Sequence, residues 1–204
     1  MLEMLKKLAI LLHWENVRRQ VFEAATRKLK IRVDYNEVEN VVKFARAFVD
    51  SKEEEIYRIF VYLSAPLREV RAKGKVLDLS QKPAYLRHVK FIDQLGQQEY
   101  VAIRKGRLQF RGIKQDGNLD LVQKQVDLLM GIDISDMSHR KLVDRILVLA
   151  YDSDIIPALN IARKNGVQIV LGFCPELHKP SRLILYHVDL IRETRLSDIF
   201  AEYS

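Results

Sequence analysis

The chain has 204 residues, 48% hydrophobic and 30% charged, which excludes a disordered polymer and suits one domain with a proper core. Its single cysteine, Cys174, excludes an intrachain disulfide and a cysteine-built zinc site, and fits a reducing, cytoplasmic setting. The net charge of +7 points towards a polyanionic partner without deciding it.

The opening, MLEMLKKLAILLHWEN, imitates a secretion signal because Lys6-Lys7 precede an apolar run. Leu8–Leu12 is too short for that role, and no small-residue cleavage site follows. No stretch approaches the ~20 apolar residues of a membrane span. Leu8–Leu12 instead predicts a buried strand ending in His13-Trp14-Glu15-Asn16. Residues 17–29 read as helical. Asp34-Tyr35-Asn36-Glu37 resembles a capping box, and the helically spaced Val38, Val41, Val42, Ala45, Phe48 and Val49 predict a helix over 35–49. Ile56–Leu63 predicts a second buried strand. Residues 66–82 carry Arg68, Arg71, Lys73, Lys75 and Lys82 against Glu69 and Asp78, and read as an exposed loop or helix start. Pro83 suits a first helical position, with Tyr85, Leu86, Val89 and Ile92 as the inner face.

Tyr100–Ile103 and Leu108–Phe110 flank Arg104-Lys105-Gly106-Arg107 and predict a hairpin or strand–turn–strand. With Arg111 and Lys114 this stretch holds five basic residues and no acidic one. It is either a solvated turn or a phosphate-contacting rim with Phe110 as a stacking ring. Residues 119–134 (LDLVQKQVDLLMGIDI) read as one helix with Leu121, Val122, Val126, Leu129 and Met130 as a buried stripe. Lys124 and Asp127 would then be surface neighbours, with Asp133 on a different face. Ile146–Ala150 is an apolar, β-branched run. Asp152-Ser153-Asp154 follows it, then a helical pattern to Asn165-Gly166 and a second apolar run, Val167–Leu171. That is a βαβ unit of a parallel sheet. Gly172–Pro180 reads as loop, Ser181–Tyr186 as a short helix, Val188–Ile191 as an edge strand and Ser197–Ser204 as an amphipathic tail.

Ligands of open α/β sheets sit beyond the carboxyl ends of the strands. Asp152 and Asp154 stand at such an end, Asn16 at another, and Asp127 is on a helix able to lean over the same edge. Crowded carboxylates are costly unless a cation compensates them, and hard divalent ions prefer oxygen ligands. The plain alternative is that Asp152 or Asp154 only caps the following helix. Cys174 and His178, four apart, read as a packed thiol beside a histidine rather than as a metal site.

In order and spacing, LAILLHWEN, RIFVYLSAP, IRKGRLQFRG, KQVDLLMGIDI and DRILVLAYDSDIIPALNIARKNGVQIVL resemble the NYN domain family, a branch of the PIN-like nucleases that includes LabA-like proteins. The resemblance covers roughly residues 7–193, leaving 194–204 as a tail. It implies a three-layer α/β fold, a mainly parallel sheet with helices on both faces, and cleavage of single-stranded RNA with Mg²⁺ or Mn²⁺. Carried over, Asp127, Asp152 and Asp154 match acidic catalytic and metal positions. Asn16 matches the Asn after the first strand, and Lys124 the basic residue beside the helix Asp. Arg104, Lys105, Arg107 and Arg111 would hold phosphates. His13 stands where the family has its first Asp, and Tyr151 where it has Gly. Neutral His binds Mn²⁺ but is a poorer Mg²⁺ ligand, so a weakened nuclease is implied unless Glu15 compensates. The alternative is a catalytically inactive module that binds RNA or protein. A haloacid-dehalogenase-like phosphatase is disfavoured because only about fifty residues follow Asp154. The sequence leaves the oligomeric state open, a homodimer included.

Overall fold

The computed structural model describes residues 4–72 and 74–203, so residues 1–3, Lys73 and Ser204 lie outside the described residues. Seven strands form one sheet in the order β6-β5-β2-β1-β7-β8-β9. They are β1 (Lys6–His13), β2 (Glu54–Ala65), β5 (Val101–Ile113), β6 (Leu119–Lys124), β7 (Arg145–Leu149), β8 (Gln168–Phe173) and β9 (Leu190–Glu193). Every pairing is parallel except β5 with β6. The central strands β1, β7 and β8 are apolar and buried on both faces, which is why they read as continuous runs rather than alternating ones.

Helices cover both faces. In β5 the adjacent Ile103 and Arg104 point to opposite sides of the sheet. Gly96, the last residue of α4 (Pro83–Gly96), sits over Ile103, while α5 (Val126–His139) carries Asp133, which binds Arg104. On the α5 side, Gly131 brings that helix against Ala158 of α6 (Ile156–Lys164). Trp14 in α1 (Trp14–Val17) meets Phe91 of α4 with ring centroids 4.9 Å apart. Phe22 packs on Phe44 of α3 (Val38–Arg46) at 5.6 Å. This is the PIN-like three-layer arrangement that the resemblance implies.

Helical structure over 17–29 is borne out, with a π-helical turn (Arg18–Phe22) before α2 (Glu23–Lys28). The helix expected over 35–49 is shorter. The Asp34 carboxylate accepts from the backbone N of Asn36 at 2.9 Å, an Asx turn, so no capping box forms. Residues 66–82 hold a two-stranded hairpin, β3 (Glu69–Ala72) with β4 (Lys75–Asp78), apart from the main sheet. In α4 the buried face is Phe91, Ile92 and Leu95, and Leu86 is 51% exposed. Residues 100–113 do not turn at Gly106; β5 runs straight through them. Leu119–Lys124 is not helical but pairs antiparallel with β5. That run (LDLVQK) neither alternates cleanly nor has a strong propensity, so the hydrogen-bonding edge of β5 decides its state.

The short helix α7 (Arg182–Leu185) is capped by Ser181, whose Oγ accepts from Ile184 N. The tail packs: α8 (Leu196–Ile199) seats the fully buried Phe200 against Phe22. Cys174 is fully buried, and burial pushes its thiol well above the ordinary value, as befits an inert packed side chain. Among the described residues, no helix is long and apolar enough to cross a membrane.

Candidate active site

At the carboxyl edge of the sheet, the register aligns three side chains on one face. His13 of β1 is level with Tyr62 of β2, and Tyr62 with Arg104 of β5. Helix α5 lies across this row. His13 Nε2 is 3.2 Å from Asp127 Oδ1. The Tyr62 hydroxyl donates to Asp133 Oδ2 at 2.8 Å, and Arg104 Nε donates to the same oxygen at 2.7 Å. Spacing puts Asp133 about 120° round the helix from Asp127. The long Tyr62 and Arg104 side chains nevertheless reach it, so both aspartates face the sheet.

His13 is held from both sides. Asn16 N donates to its Nδ1 at 3.3 Å, so the ring proton belongs on Nε2, facing Asp127. The Asn16 side-chain oxygen accepts from Tyr151 N at 3.0 Å and ties the end of β1 to the end of β7. One residue on, Asp152 caps a 3₁₀ turn (Ser153–Ile155) by accepting from Asp154 N at 3.3 Å. Capping engages one oxygen of Asp152; both Asp152 and Asp154 are exposed.

Asp127 is half-exposed, but its Oδ1 is buried. The approach of His13 lies off the line of a good hydrogen bond, and Oδ1 has no satisfying donor. Proximity to His13 holds the Asp127 carboxyl below its ordinary range, although partial burial pushes the other way. Asp127 is the second residue of α5, which begins at Val126 directly after Gln125, a non-glycine residue at φ 72°. That left-handed residue turns the β6 chain into the helix and fixes where Asp127 points.

The basic residues divide. Arg104 binds Asp133 and lies 4.8 Å over the Phe60 ring. Lys105, Arg107 and Arg111 are exposed along β5, with Arg111 at a register shift. Arg107 stands directly opposite Lys124 across β5 and β6, a like-charge pair that repels unless an anion bridges it. Phe110 is half-buried opposite Leu121. Glu15 does not point at Asp127: its carboxylate is bound by Arg18 Nη2 at 2.7 Å and Arg19 Nε at 2.5 Å. Tyr151 is buried against the His178 ring at 4.5 Å and offers no surface to a ligand.

Sequence reasoning missed Asp133 as a partner of the row, and a groove of ≈ 900 Å³ on the far side of α1. Trp14, Arg18, Arg19, Arg87 and His88 line it. Burial there pushes the His88 imidazole below its ordinary pKa, and its Nε2 has no partner. The π-helical turn swings Arg18 and Arg19 to the groove, and nothing in a single sequence announces such a turn.

Gly106 explains how α5 is seated. A Cβ there would stand 2.6 Å from Lys124 O and 2.7 Å from Val126 Cγ2. Backbone cannot yield as a side chain does, so Gly106→Ala should push the start of α5 off the sheet. The expected cost is about 1–3 kcal/mol in chemical denaturation, with displacement of Asp127 visible in the amide spectrum.

Residues 7–189 match the model of the NYN domain family. The chain belongs to that family. NYN domains are generally nucleases of the PIN-like superfamily and generally use divalent metals. A search of curated proteins returns no match. The crystal structure of Sa239 aligns at 14% identity and a TM-score of 0.32, over 78% of this chain and 48% of that one, so this chain spans about half its length.

Asp127, Asp152 and Asp154 are hard oxygen donors at one edge, and Asp127 Oδ1 is a buried anionic oxygen in need of a partner. The carboxylates fit a hard ion in kind; His13 does not, because one ring nitrogen is engaged by Asn16 and the other carries the proton. Among the described residues no three His, Cys, Asp or Glu side chains are already gathered to hold an ion.

Proposed function

We propose that this NYN domain is a ribonuclease that cleaves single-stranded RNA, with Asp127, Asp152 and Asp154 holding Mg²⁺ or Mn²⁺. The observation that carries the reading is the contact chain along the carboxyl edge: Asp127 against His13, Asn16 on both His13 and Tyr151, and Asp152 next in sequence. When bound, the ion supplies an activated water and neutralises phosphate oxygens. The chain's own residues do the rest. Asn16 holds the two strand ends at a fixed separation. Lys105, Arg107 and Lys124 bind the phosphates, because the uncompensated Arg107–Lys124 pair favours an anion between its members. Arg111, further along β5, extends that track. Arg104 acts indirectly, by fixing Asp133 and so the roll of α5.

A second reading, a catalytically inactive module that binds RNA, draws on the His13 contact, since a nitrogen–hydrogen donor stands on Asp127 where a cation is needed. The lone buried Cys174 suits a reducing, cytoplasmic compartment under either reading. The test is incubation of end-labelled single-stranded RNA with the protein and Mn²⁺. Cleavage that chelation stops supports the ribonuclease. RNA binding without cleavage at any Mn²⁺ concentration selects the second reading.

A further inference from the structure

Between the sheet and α5 stands His13, the side chain on which the two readings divide. His13 is 5% exposed, at the strand end where an ion ligand is expected, yet its lone pair is turned away from Asp127. Nδ1 takes the backbone N–H of Asn16, and the Asn16 side chain is itself fixed by Tyr151 N. The ring cannot flip without breaking that cap. We infer that His13 is a placeholder for the cation: its Nε2–H occupies the Asp127 oxygen that a divalent ion needs, and it is not itself an ion ligand.

The inference rests on the proposed ion site and says how that site is restrained. An N–H donor partly satisfies a carboxylate without adding a ligand, so the ion has to displace it. The contact is close but poorly aligned, so displacement is feasible and affinity is lowered rather than abolished. His13 is thus a positioning residue that sets ion affinity from outside the coordination sphere.

The two roles predict opposite signs. Removing a ligand weakens ion binding; removing a placeholder strengthens it. His13→Asn is the informative variant, because its short side chain can still accept from Asn16 N and preserve the cap while losing the reach to Asp127. Mn²⁺ affinity of the whole chain, read from the paramagnetic resonance of free Mn²⁺, should tighten by roughly three- to ten-fold, at most the scale of one hydrogen bond to a charged group because the contact is poorly aligned. His13→Ala should tighten it too, and serves if the Asn variant folds poorly. Nitrogen-15 spectra of the wild type should place the ring proton on Nε2. Unchanged or weaker Mn²⁺ binding in the folded variants overturns the inference, as does a proton on Nδ1. Asp127→Asn and Asp152→Asn keep the outcomes apart. If both leave Mn²⁺ binding intact, the proposed ion site itself is wrong and the placeholder falls with it. If both weaken it while His13→Asn also weakens it, only the placeholder falls.

Discussion

Asp152→Asn should lower Mn²⁺-supported cleavage of single-stranded RNA by roughly a hundred-fold while leaving the fold intact. The asymmetry follows from what this carboxylate does in the structure. One of its oxygens accepts from Asp154 N and caps the 3₁₀ turn. An amide oxygen can do the same, so the turn survives. The negative charge and the second oxygen, the one not engaged in the cap, are lost, and those are what a hard ion requires. Thermal melting of the variant within a degree or two of wild type would show that lost cleavage reflects lost chemistry. A variant that cleaves like wild type would remove Asp152 from the site.

The largest effect on stability belongs to the opposite edge of the sheet. Glu54, at the start of β2, has a fully buried side chain. It accepts from Arg145 Nη1 at 2.8 Å, from Arg192 Nη2 at 2.7 Å and Nη1 at 2.8 Å, and from Asp50 N at 3.0 Å. One carboxylate thereby ties β2 to β7 and β9. Glu54→Ala leaves Arg145, 5% exposed, with only its rim partner Glu53 and its bond to Gln168. The expected loss is about 3–5 kcal/mol, measured as a shift in the denaturation midpoint.

Burial alone would raise the Glu54 pKa, but the bonds from Arg192 and Arg145 outweigh it and hold the carboxyl below its ordinary value. A carboxyl depressed in the folded state contributes stability above its unfolded pKa of about 4.3. That contribution is lost as pH falls through the lower, folded value. Acid denaturation should therefore set in below about pH 4 and be blunted in the Ala variant, which has no such carboxyl to protonate.

What the sequence made legible depended on how each element is stabilised. The buried strands β1 and β7 and the unit from β7 through α6 to β8 are set by local composition: continuous apolar runs, an acidic cap and a Gly stop. They appear where expected. Leu119–Lys124 carries no such signal; its state is set by pairing with β5 across the turn at 114–118, and a helical stripe can be drawn through it equally well. A helix read over 119–134 therefore begins too early, and Lys124 stands on a strand opposite Arg107. The hairpin at 69–78 was hidden for the same reason.

As candidates, Asp152, Asp154 and Asn16 are legible because polar residues at the ends of buried strands have few other places to go, and Asp127 is legible only through the resemblance carried by KQVDLLMGIDI. The engagement of the remaining groups is not legible. Glu15 is claimed by Arg18 and Arg19 through a π-helical turn, Arg104 by Asp133, and His13 by Asn16 on one side and Asp127 on the other. Each of those pairings is a matter of register and side-chain reach, which one sequence does not record.

Whether Asp127 and Asp152 serve one ion is decided by combining their Asn variants and measuring the cleavage rate of single-stranded RNA at saturating Mn²⁺. Groups that hold the same ion fail together, so the double variant should be no slower than the slower single one. Losses that multiply, or single variants that cleave like wild type, would mean that no shared ion site exists at this edge of the sheet.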